Sequence, residues 1–597
     1  MSSSSSVWSI AIHPDKRCNL ISGLKQWKIF SIPASFPAKS KFRVLRSVKK
    51  GKVLEGEISC SSFSKAFENP SIDILSYCDN IYTKLYIVDS LEKLGVQHHF
   101  EDVMQRFLDE IYSLWMQNDE QMCSEMITCA MAFRILRMNG YVVSSGKLER
   151  FNEDRYYINS TDFDFNDIGS ILELYKASQI KLFQDEEVLG KLILRTFKFL
   201  KRMISLPPND GNEATTFLRQ EVDYALRYQS YSNLARIEHR RNIENFYLPY
   251  IAAMNNKSPK FQQNICMGDI LGLAVKEFNT VQRIYQSELV LIQRWVKKTR
   301  FDELKFARQK EIYCYFSAAA AHFPVEMSGV RMWWTKSSIL VTLVDDFFDM
   351  GSSKAEQLNF IQLIERWDED YSKDCCSQQV RILFSALYTT INELGEEASL
   401  LQDRDVKSHI IEIWLDTVNT MKVESDWVRE RTVPTLDQYM KNGCTSIGLG
   451  PIILPTLYFV GPKIAYNVIK NPGFHNIFRL VSTCGRIIND MQSFQRESKE
   501  GKLNGITLRV LHGGGKISEE AAAKDMMDMV EANRTQLLRL VLQEEGSVIP
   551  RNCRDLFWKM SNNFYVFYAR NDGFSSPTEM MKHVNDVLFQ PLVLPIS

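Results

Sequence analysis

Two short polar segments carry the side chains best suited to chemistry. The first is Asp345-Asp346-Phe347-Phe348-Asp349, which follows a largely apolar stretch. Residues four apart share one face of a helix, so Asp345 and Asp349 are predicted to project together. Two carboxylates beside an apolar helix are costly to bury unless a cation neutralises them. Ligands that are all oxygen favour a hard ion such as Mg²⁺, which often bridges to the phosphates of a substrate.

The second segment places Asn489, Ser493 and Glu497 at successive helical turns, again after apolar residues. An amide oxygen, a hydroxyl and a carboxylate in line resemble a chelate more than a solvated helix face. Either segment alone could be an ordinary acidic helix end. Together they predict one Mg²⁺ site, with Mn²⁺ as a possible substitute.

Two arginines are candidates for holding phosphate oxygens beside this site. Arg486 lies one helical turn before Asn489, and Arg308 precedes the first acidic segment. A guanidinium is a permanently charged, planar fork that matches phosphate oxygens. For Arg308 alone, a solvated surface position remains a reasonable interpretation.

The composition excludes several function classes. The 597 residues hold 72 Lys and Arg against 72 Asp and Glu, a balance that argues against nucleic-acid binding. No stretch approaches the run of about 20 apolar residues that spans a bilayer. The 12 Cys show no paired zinc-ligand spacing. With 45% hydrophobic residues, the chain can bury a large core.

The first residues differ in composition from the rest of the chain. Between Met1 and Val53 the only acid is Asp15, whereas the same stretch is rich in Ser, Lys and Arg. A Ser-rich, basic and acid-poor start is typical of an organelle transit peptide. We therefore predict a plastid transit peptide over residues 1–55. A basic tail without such a role is the alternative.

From residue 56 onward the sequence predicts helix after helix. Apolar residues recur at helical spacing, as in Leu85, Val88, Leu91 and Leu94, and strand alternation is nearly absent. A polar stretch near residue 250 predicts a domain boundary. The expected fold is all-α, with an N-terminal helical domain at 56–245 and a C-terminal domain at 246–597 that holds the active site.

The two polar segments resemble the DDxxD and NDxxSxxxE magnesium motifs of plant class I terpene synthases, in particular the kaurene synthase-like branch. Similar blocks extend the resemblance from about residue 83 to the C-terminus, including Gly448 to Pro455 and the Asp572-Gly573-Phe574 turn. The resemblance implies the family's β and α domains without its γ domain. It also implies three Mg²⁺ ions held by Asp345, Asp349, Asn489, Ser493 and Glu497.

The implied reaction is ionisation of a copalyl-type C20 diphosphate, loss of diphosphate and cyclisation or rearrangement of the carbocation to a kaurene-type or related labdane-derived diterpene. Asp345, Asp349, Arg308 and Arg486 are the implied catalytic residues. Ile452, in a predicted helix break beside Pro451, is associated in this branch with complete cyclisation. Aromatic faces would stabilise cations, although core packing is the simpler interpretation for most of the candidates. The candidates are Tyr313, Phe316, Trp333, Trp334, Phe347, Phe564, Tyr565 and Tyr568. Of these, Phe347 and Trp334 are predicted to contact substrate.

The sequence also departs from the family pattern. The DXDD acid motif for protonation-initiated cyclisation is absent, and Asp162-Phe163-Asp164-Phe165 lacks its last aspartate. We therefore expect a separate class II copalyl diphosphate synthase to supply the substrate. Many relatives carry a Lys where this chain has Gly505, and Lys502 is a weak substitute.

Three other functions remain open at this point. A mono- or sesquiterpene synthase would use the same site with geranyl or farnesyl diphosphate. A prenyl-chain elongase would need a second aspartate-rich motif, from which Asn489, Ser493 and Glu497 differ. A non-catalytic scaffold predicts loss of metal ligands, yet every expected oxygen donor is present.

Overall fold

The computed structural model describes residues 80–153, 156–157, 165–205, 213–246, 267–500, 502–568, 573 and 578–593. Most of these residues are helical, and they contain no β-strand. The prediction of an all-α fold is therefore confirmed. None of the helices in the described ranges combines the length and apolar character that a membrane span requires. The predicted transit peptide and the segment Asp162 to Asp164 lie outside the described residues.

The first group of helices follows the apolar stripes of the sequence. Asn80 caps the first helix by accepting a hydrogen bond from the Thr83 N–H, and Gly95 ends it with φ +75°. Glu125, whose backbone is extended, separates the helix that ends at Ser124 from the helix that begins at Met126. The helices are α1 Ile81–Leu94, α2 Glu101–Met116, α3 Glu120–Ser124, α4 Met126–Met138, α5 Phe165–Ser178, α6 Glu187–Ser205, α7 Glu213–Arg227 and α8 Ala235–Glu244.

The second group of helices carries both polar segments. Ser353 and Thr435 begin two of these helices with capping boxes, each completed by a Glu or Gln three residues later. The helices are α9 Met267–Lys298, α10 Glu311–Ala321, α11 Ser328–Asp346, α12 Lys354–Arg366, α13 Gln378–Gln402, α14 Lys407–Glu430, α15 Leu436–Ser446, α16 Leu449–Thr456, α17 Tyr466–Ile469, α18 Pro472–Glu500, α19 Gly505–His512, α20 Glu519–Leu542, α21 Arg551–Tyr568 and α22 Thr578–Leu588.

Two large hydrophobic cores lie within the described residues. The first core is built mainly from α1 to α6, and the second mainly from α10 to α22. Helix α9 contributes to both, because Ile270 and Phe278 pack in the first core while Tyr285 and Ile292 pack in the second. A division of the chain into domains at residues 245 and 246 stays a prediction. Helix α8 also contributes to both cores, because Ile243 packs in the first core and Ile237 in the second.

A buried ion pair fixes helix α11, which leads into the first acidic segment. Arg331 on α11 is fully buried and pairs with Glu288 on α9 at 2.7 Å. Tyr315 on α10 donates to the same carboxylate at 2.7 Å. Arg331 also donates to the carbonyl oxygens of His322 and Pro324. One charged network therefore joins α9, α10 and α11.

Neutralising Glu288 should destabilise the protein strongly. Glu288→Gln leaves the Arg331 guanidinium buried without its counter-charge, and loss of one partner of a buried pair costs about 3–5 kcal/mol. We expect the free energy of unfolding in urea to fall by that amount. The matched control is Glu303→Gln, because Glu303 pairs with Arg300 on the surface, where ion pairs contribute little. Equal effects of the two substitutions would contradict the proposed network.

Candidate active site

The two polar segments meet at one cavity of about 520 Å³ within the second core. Its lining combines carboxylates and arginines with apolar side chains. The charged and polar lining includes Arg308, Asp345, Asp346, Asp349, Glu424, Tyr439, Arg486, Asn489, Glu497 and Lys502, and the apolar lining includes Trp334, Val341, Phe348, Ile447, Leu449, Ile452, Met560, Phe564 and Phe567.

The first acidic segment lies where α11 ends and one π-helical turn, Phe347–Gly351, begins. Asp345 is half-buried and Asp349 is exposed, and both line the cavity. Burial raises the pKa of Asp345 to about 7, and the neighbouring Asp349 charge adds to this effect. The segment therefore holds more negative charge than Arg308 alone compensates.

Asp346 faces inward and holds Arg308. Its carboxylate accepts hydrogen bonds from the Arg308 backbone N–H at 2.7 Å and from Nε at 2.8 Å. The Arg308 Nη2 also donates to Asp345 at 3.0 Å. The sequence left Arg308 open as a surface residue. The structure places it at the cavity, fixed by the middle aspartate of the segment.

Arg486 is held by an equivalent arrangement in the second segment. Its Nε lies 3.0 Å from Asp490 Oδ1 and 2.9 Å from the Tyr439 hydroxyl. Asp490 is fully buried, and burial raises its pKa to about 6 although Arg486 opposes the shift. Glu424 lies 3.5 Å from Arg486 Nη1. Each polar segment thus uses its inner aspartate to orient an arginine.

The predicted oxygen donors of the second segment follow one side of α18. Asn489 and Glu497 line the cavity. Ser493 is buried outside the lining, and its hydroxyl donates to the Asn489 carbonyl oxygen at 3.0 Å. Asn504 donates to Glu497 Oε2 at 2.8 Å. The three residues predicted from their spacing are therefore neighbours on one helix.

Lys502 connects the two segments. Its Nζ lies 3.0 Å from Asp349 Oδ2, and its backbone N–H donates to the Glu497 carbonyl oxygen at 2.9 Å. A cation thus already lies against the carboxylate side of the cavity. The Asp345 carboxylate lacks a full counter-charge, and the Asp349 carboxylate already attracts an ammonium group. Because the predicted donors are all oxygen atoms, the site suits a hard divalent cation.

The predicted aromatic contacts divide into two groups. Trp334, Tyr313, Phe564 and Tyr568 line the cavity, as does Ile452. The expectation for Phe347 needs correction. Its ring is fully buried against the rings of Phe306, Phe348 and Phe360, and Phe348 lines the cavity instead. Phe348 follows Asp345 by three residues and shares its helical face, whereas Phe347, two residues after Asp345, does not. Phe316, Trp333 and Tyr565 also lie outside the lining.

The predicted helix break beside Pro451 lies slightly earlier in the chain. Helix α15 ends at Ser446, and Gly448 adopts φ +76° before α16 begins. A Cβ atom at Gly448 would lie 2.4 Å from Val341 Cγ1 on α11, so glycine is required for both conformation and space. Pro451 lies in the first turn of α16, where it needs no hydrogen-bond donor. Ile452, the next residue, lines the cavity.

Glu424 and Tyr439 belong to the site although the sequence did not indicate them. Glu424 accepts a hydrogen bond from Ser446 at 2.5 Å and contributes to the raised pKa of Asp345. Tyr439 donates to Asp490 at 3.0 Å. Both reach the cavity from helices remote in sequence, so no local spacing pattern could have identified them.

The chain matches two family descriptions. Residues 297–536 match "Terpene synthase family, metal binding domain", and residues 55–226 match "Terpene synthase, N-terminal domain". The first of these ranges contains Arg308, Asp345, Asp349, Arg486 and the second polar segment.

Similar curated proteins come from several flowering plants. An ent-kaur-16-ene synthase of Oryza sativa subsp. japonica is 46% identical over 87% of this chain and 67% of its own length. An ent-kaurene synthase-like protein of Ricinus communis is 44% identical over 86% of this chain and 69% of its own length. An ent-13-epi-manoyl oxide synthase of Salvia miltiorrhiza is 42% identical over 86% of this chain and 64% of its own length. The chain thus spans about two thirds of the length of the curated relatives it matches.

Solved structures share the fold. Abietadiene synthase from Abies grandis superposes with a TM-score of 0.76 at 28% identity, covering 86% of this chain and 68% of its own. Isoprene synthase from grey poplar, in complex with three Mg²⁺ ions and a thiolodiphosphate, has a TM-score of 0.75 at 23% identity. The superposition covers 89% of this chain and 97% of the isoprene synthase chain.

Replacing Asp345 by Asn should stabilise the metal-free protein at high pH. The pKa of Asp345 is about 7 in the folded protein and near 4 in an unfolded chain, so its ionisation opposes folding as pH rises between these values. In a chelator, Asp345→Asn should therefore raise the melting temperature at about pH 8, with a smaller gain at about pH 5.

The control is Asp370→Asn, whose side chain is largely exposed; its melting temperature should match that of the wild type at both pH values. A melting temperature for Asp345→Asn that is equal to or below that of the wild type at the higher pH would contradict the assignment.

Proposed function

This chain belongs to the terpene synthase family, and from that premise we propose that it is a class I diterpene synthase acting on a copalyl-type C20 diphosphate. The observation that carries the proposal is the meeting of two oxygen-rich helix faces and two arginines at one cavity with an apolar wall. The relatives named as ent-kaurene and ent-beyerene synthases support the diterpene substrate class.

Asp345, Asp349, Asn489, Ser493 and Glu497 would hold the metal. We propose three Mg²⁺ ions, the number in the isoprene synthase complex. Bound there, Mg²⁺ would supply Lewis-acid stabilisation of the charge that develops on the leaving diphosphate.

The arginines of this chain would bind and orient the diphosphate. Arg308 is fixed by Asp346 and Arg486 by Asp490 and Tyr439, so their positions are set before substrate arrives. Such preorganised charge needs little rearrangement during reaction. Arg308 and Arg486 thereby hold the diphosphate oxygens while the carbon–oxygen bond breaks.

The apolar lining would receive the carbon skeleton. Ile452, Phe564 and Phe567 are almost completely buried, and they would exclude water until the cation rearranges. Aromatic faces such as that of Trp334 stabilise positive charge without acting as nucleophiles. Ile452 supports a kaurene-type or related rearranged product.

The cellular setting follows from the relatives. Kaurene synthases of four plants carry "chloroplastic" in their names, and the chain accordingly acts in the plastid. We propose that a separate class II copalyl diphosphate synthase supplies the substrate there, since this sequence contains no DXDD segment.

The purified protein with Mg²⁺ should convert a copalyl diphosphate into a cyclised diterpene. Gas chromatography of a panel with ent- and normal copalyl, geranyl and farnesyl diphosphates tests this. Asp345→Ala should lower turnover at least ~100-fold, or roughly 3 kcal/mol in activation free energy.

Asp370→Ala, an aspartate on an exposed turn, is the matched control and should retain wild-type turnover. Products from geranyl or farnesyl diphosphate only would contradict the C20 substrate, and full activity of Asp345→Ala would contradict the metal site.

A further inference from the structure

A buried amide lies directly behind the second polar segment. Asn504 precedes α19 and is fully buried. Its Nδ2 donates to the Asp490 carbonyl oxygen at 2.9 Å and to Glu497 Oε2 at 2.8 Å, and it lies 3.4 Å from Ser493 Oγ. One side chain therefore contacts two of the three residues predicted to bind metal on α18.

The residue after Asn504 adds a backbone contact. The Gly505 N–H donates to Asp490 Oδ2 at 3.0 Å. A Cβ atom at this position would lie 2.7 Å from the same oxygen and 2.7 Å from Met526 Cε. Only glycine lets the start of α19 approach so closely. The inner aspartate that holds Arg486 is thus fixed from its other side.

Capping of α19 does not explain all of these contacts. The Asn504 Oδ1 accepts the Ile506 N–H at 2.9 Å, and this single bond caps the helix. Asn80 caps α1 in a similar way, through its Oδ1. Ser or Asp would cap a helix about as well. The donor side of Asn504 is therefore available for a second task, and it is directed at Glu497.

We propose that Asn504 is a positioning residue that orients Glu497 and Ser493 for the divalent metal, an inference that rests on the proposed function. Its N–H occupies Glu497 Oε2, which leaves Oε1 for metal. Oε1 lies 3.9 Å from Arg496 Nη2. The Ser493 hydroxyl proton goes to the Asn489 carbonyl oxygen, and one lone pair of Oγ faces the Asn504 N–H, so the other lone pair stays available for metal. Partners behind metal ligands commonly contribute 10–100-fold to metal affinity.

Binding of Mn²⁺ with inorganic pyrophosphate to the full-length protein tests the proposal. Free Mn²⁺ is measured by electron paramagnetic resonance, which does not depend on turnover. Asn504→Ser keeps the helix cap but cannot reach Glu497, and should weaken Mn²⁺ binding by ~10-fold or more. Asn80→Ser, the same exchange at α1, should leave binding unchanged.

Kinetics with copalyl diphosphate give a second readout. For Asn504→Ser we expect a higher half-saturating Mg²⁺ concentration, with kcat largely recovered at saturating Mg²⁺. A purely structural defect would instead lower the melting temperature of the metal-free protein without this shift. Should Asn504→Ser not fold, Asn504→Thr also caps a helix and adds no charge, but its hydroxyl is too short to reach Glu497, so the same weakening is expected.

The outcomes separate the two proposals. Wild-type affinity for Mn²⁺ in a folded Asn504 variant would overturn the positioning role and leave the proposed function intact. Failure of the wild-type protein itself to bind Mn²⁺ with pyrophosphate would overturn both.

Discussion

Several carboxylates converge on a cavity that is otherwise walled by apolar side chains, and each of them needs a positive charge within reach. Asp346 and Asp490 are buried and are compensated by Arg308 and Arg486. Asp349 is paired with Lys502. Asp345 keeps a raised pKa because burial and the nearby Asp349 outweigh the effect of Arg308. This remaining demand for cations explains why the site suits divalent metal and why the surrounding helices must be held firmly.

The two polar segments solve this problem in the same way. In each, one aspartate fixes an arginine, while Asp345 and Asp349 of the first segment and Asn489 and Glu497 of the second line the cavity. Elements remote in sequence complete the arrangement: Tyr439 supports Asp490, and the buried pair of Arg331 and Glu288 anchors the helix that carries Asp345. The site is therefore prepared by the fold before any ligand binds, which is the condition for electrostatic catalysis.

The helices and the oxygen donors could be predicted from the sequence because both depend on short-range periodicity. The sequence could not tell which aspartate of each pair faces inward, since that depends on arginine positions set by distant segments. Phe347 was chosen for its aromatic ring alone, whereas Phe348, three residues after Asp345 and so on the same helical face, is the ring that lines the cavity. Lys502 was recognised only as a weak substitute, and its contact with Asp349 depends on tertiary structure.

The central claim is that the two segments hold divalent metal together with a diphosphate. The most direct measurement is a crystal structure with Mn²⁺ and pyrophosphate, with the metal located by anomalous scattering. Peaks bound by Asp345 or Asp349 on one side, and by Asn489, Ser493 and Glu497 on the other, are the predicted result. Anomalous peaks that lie away from these residues, with pyrophosphate remote from Arg308 and Arg486, would contradict it.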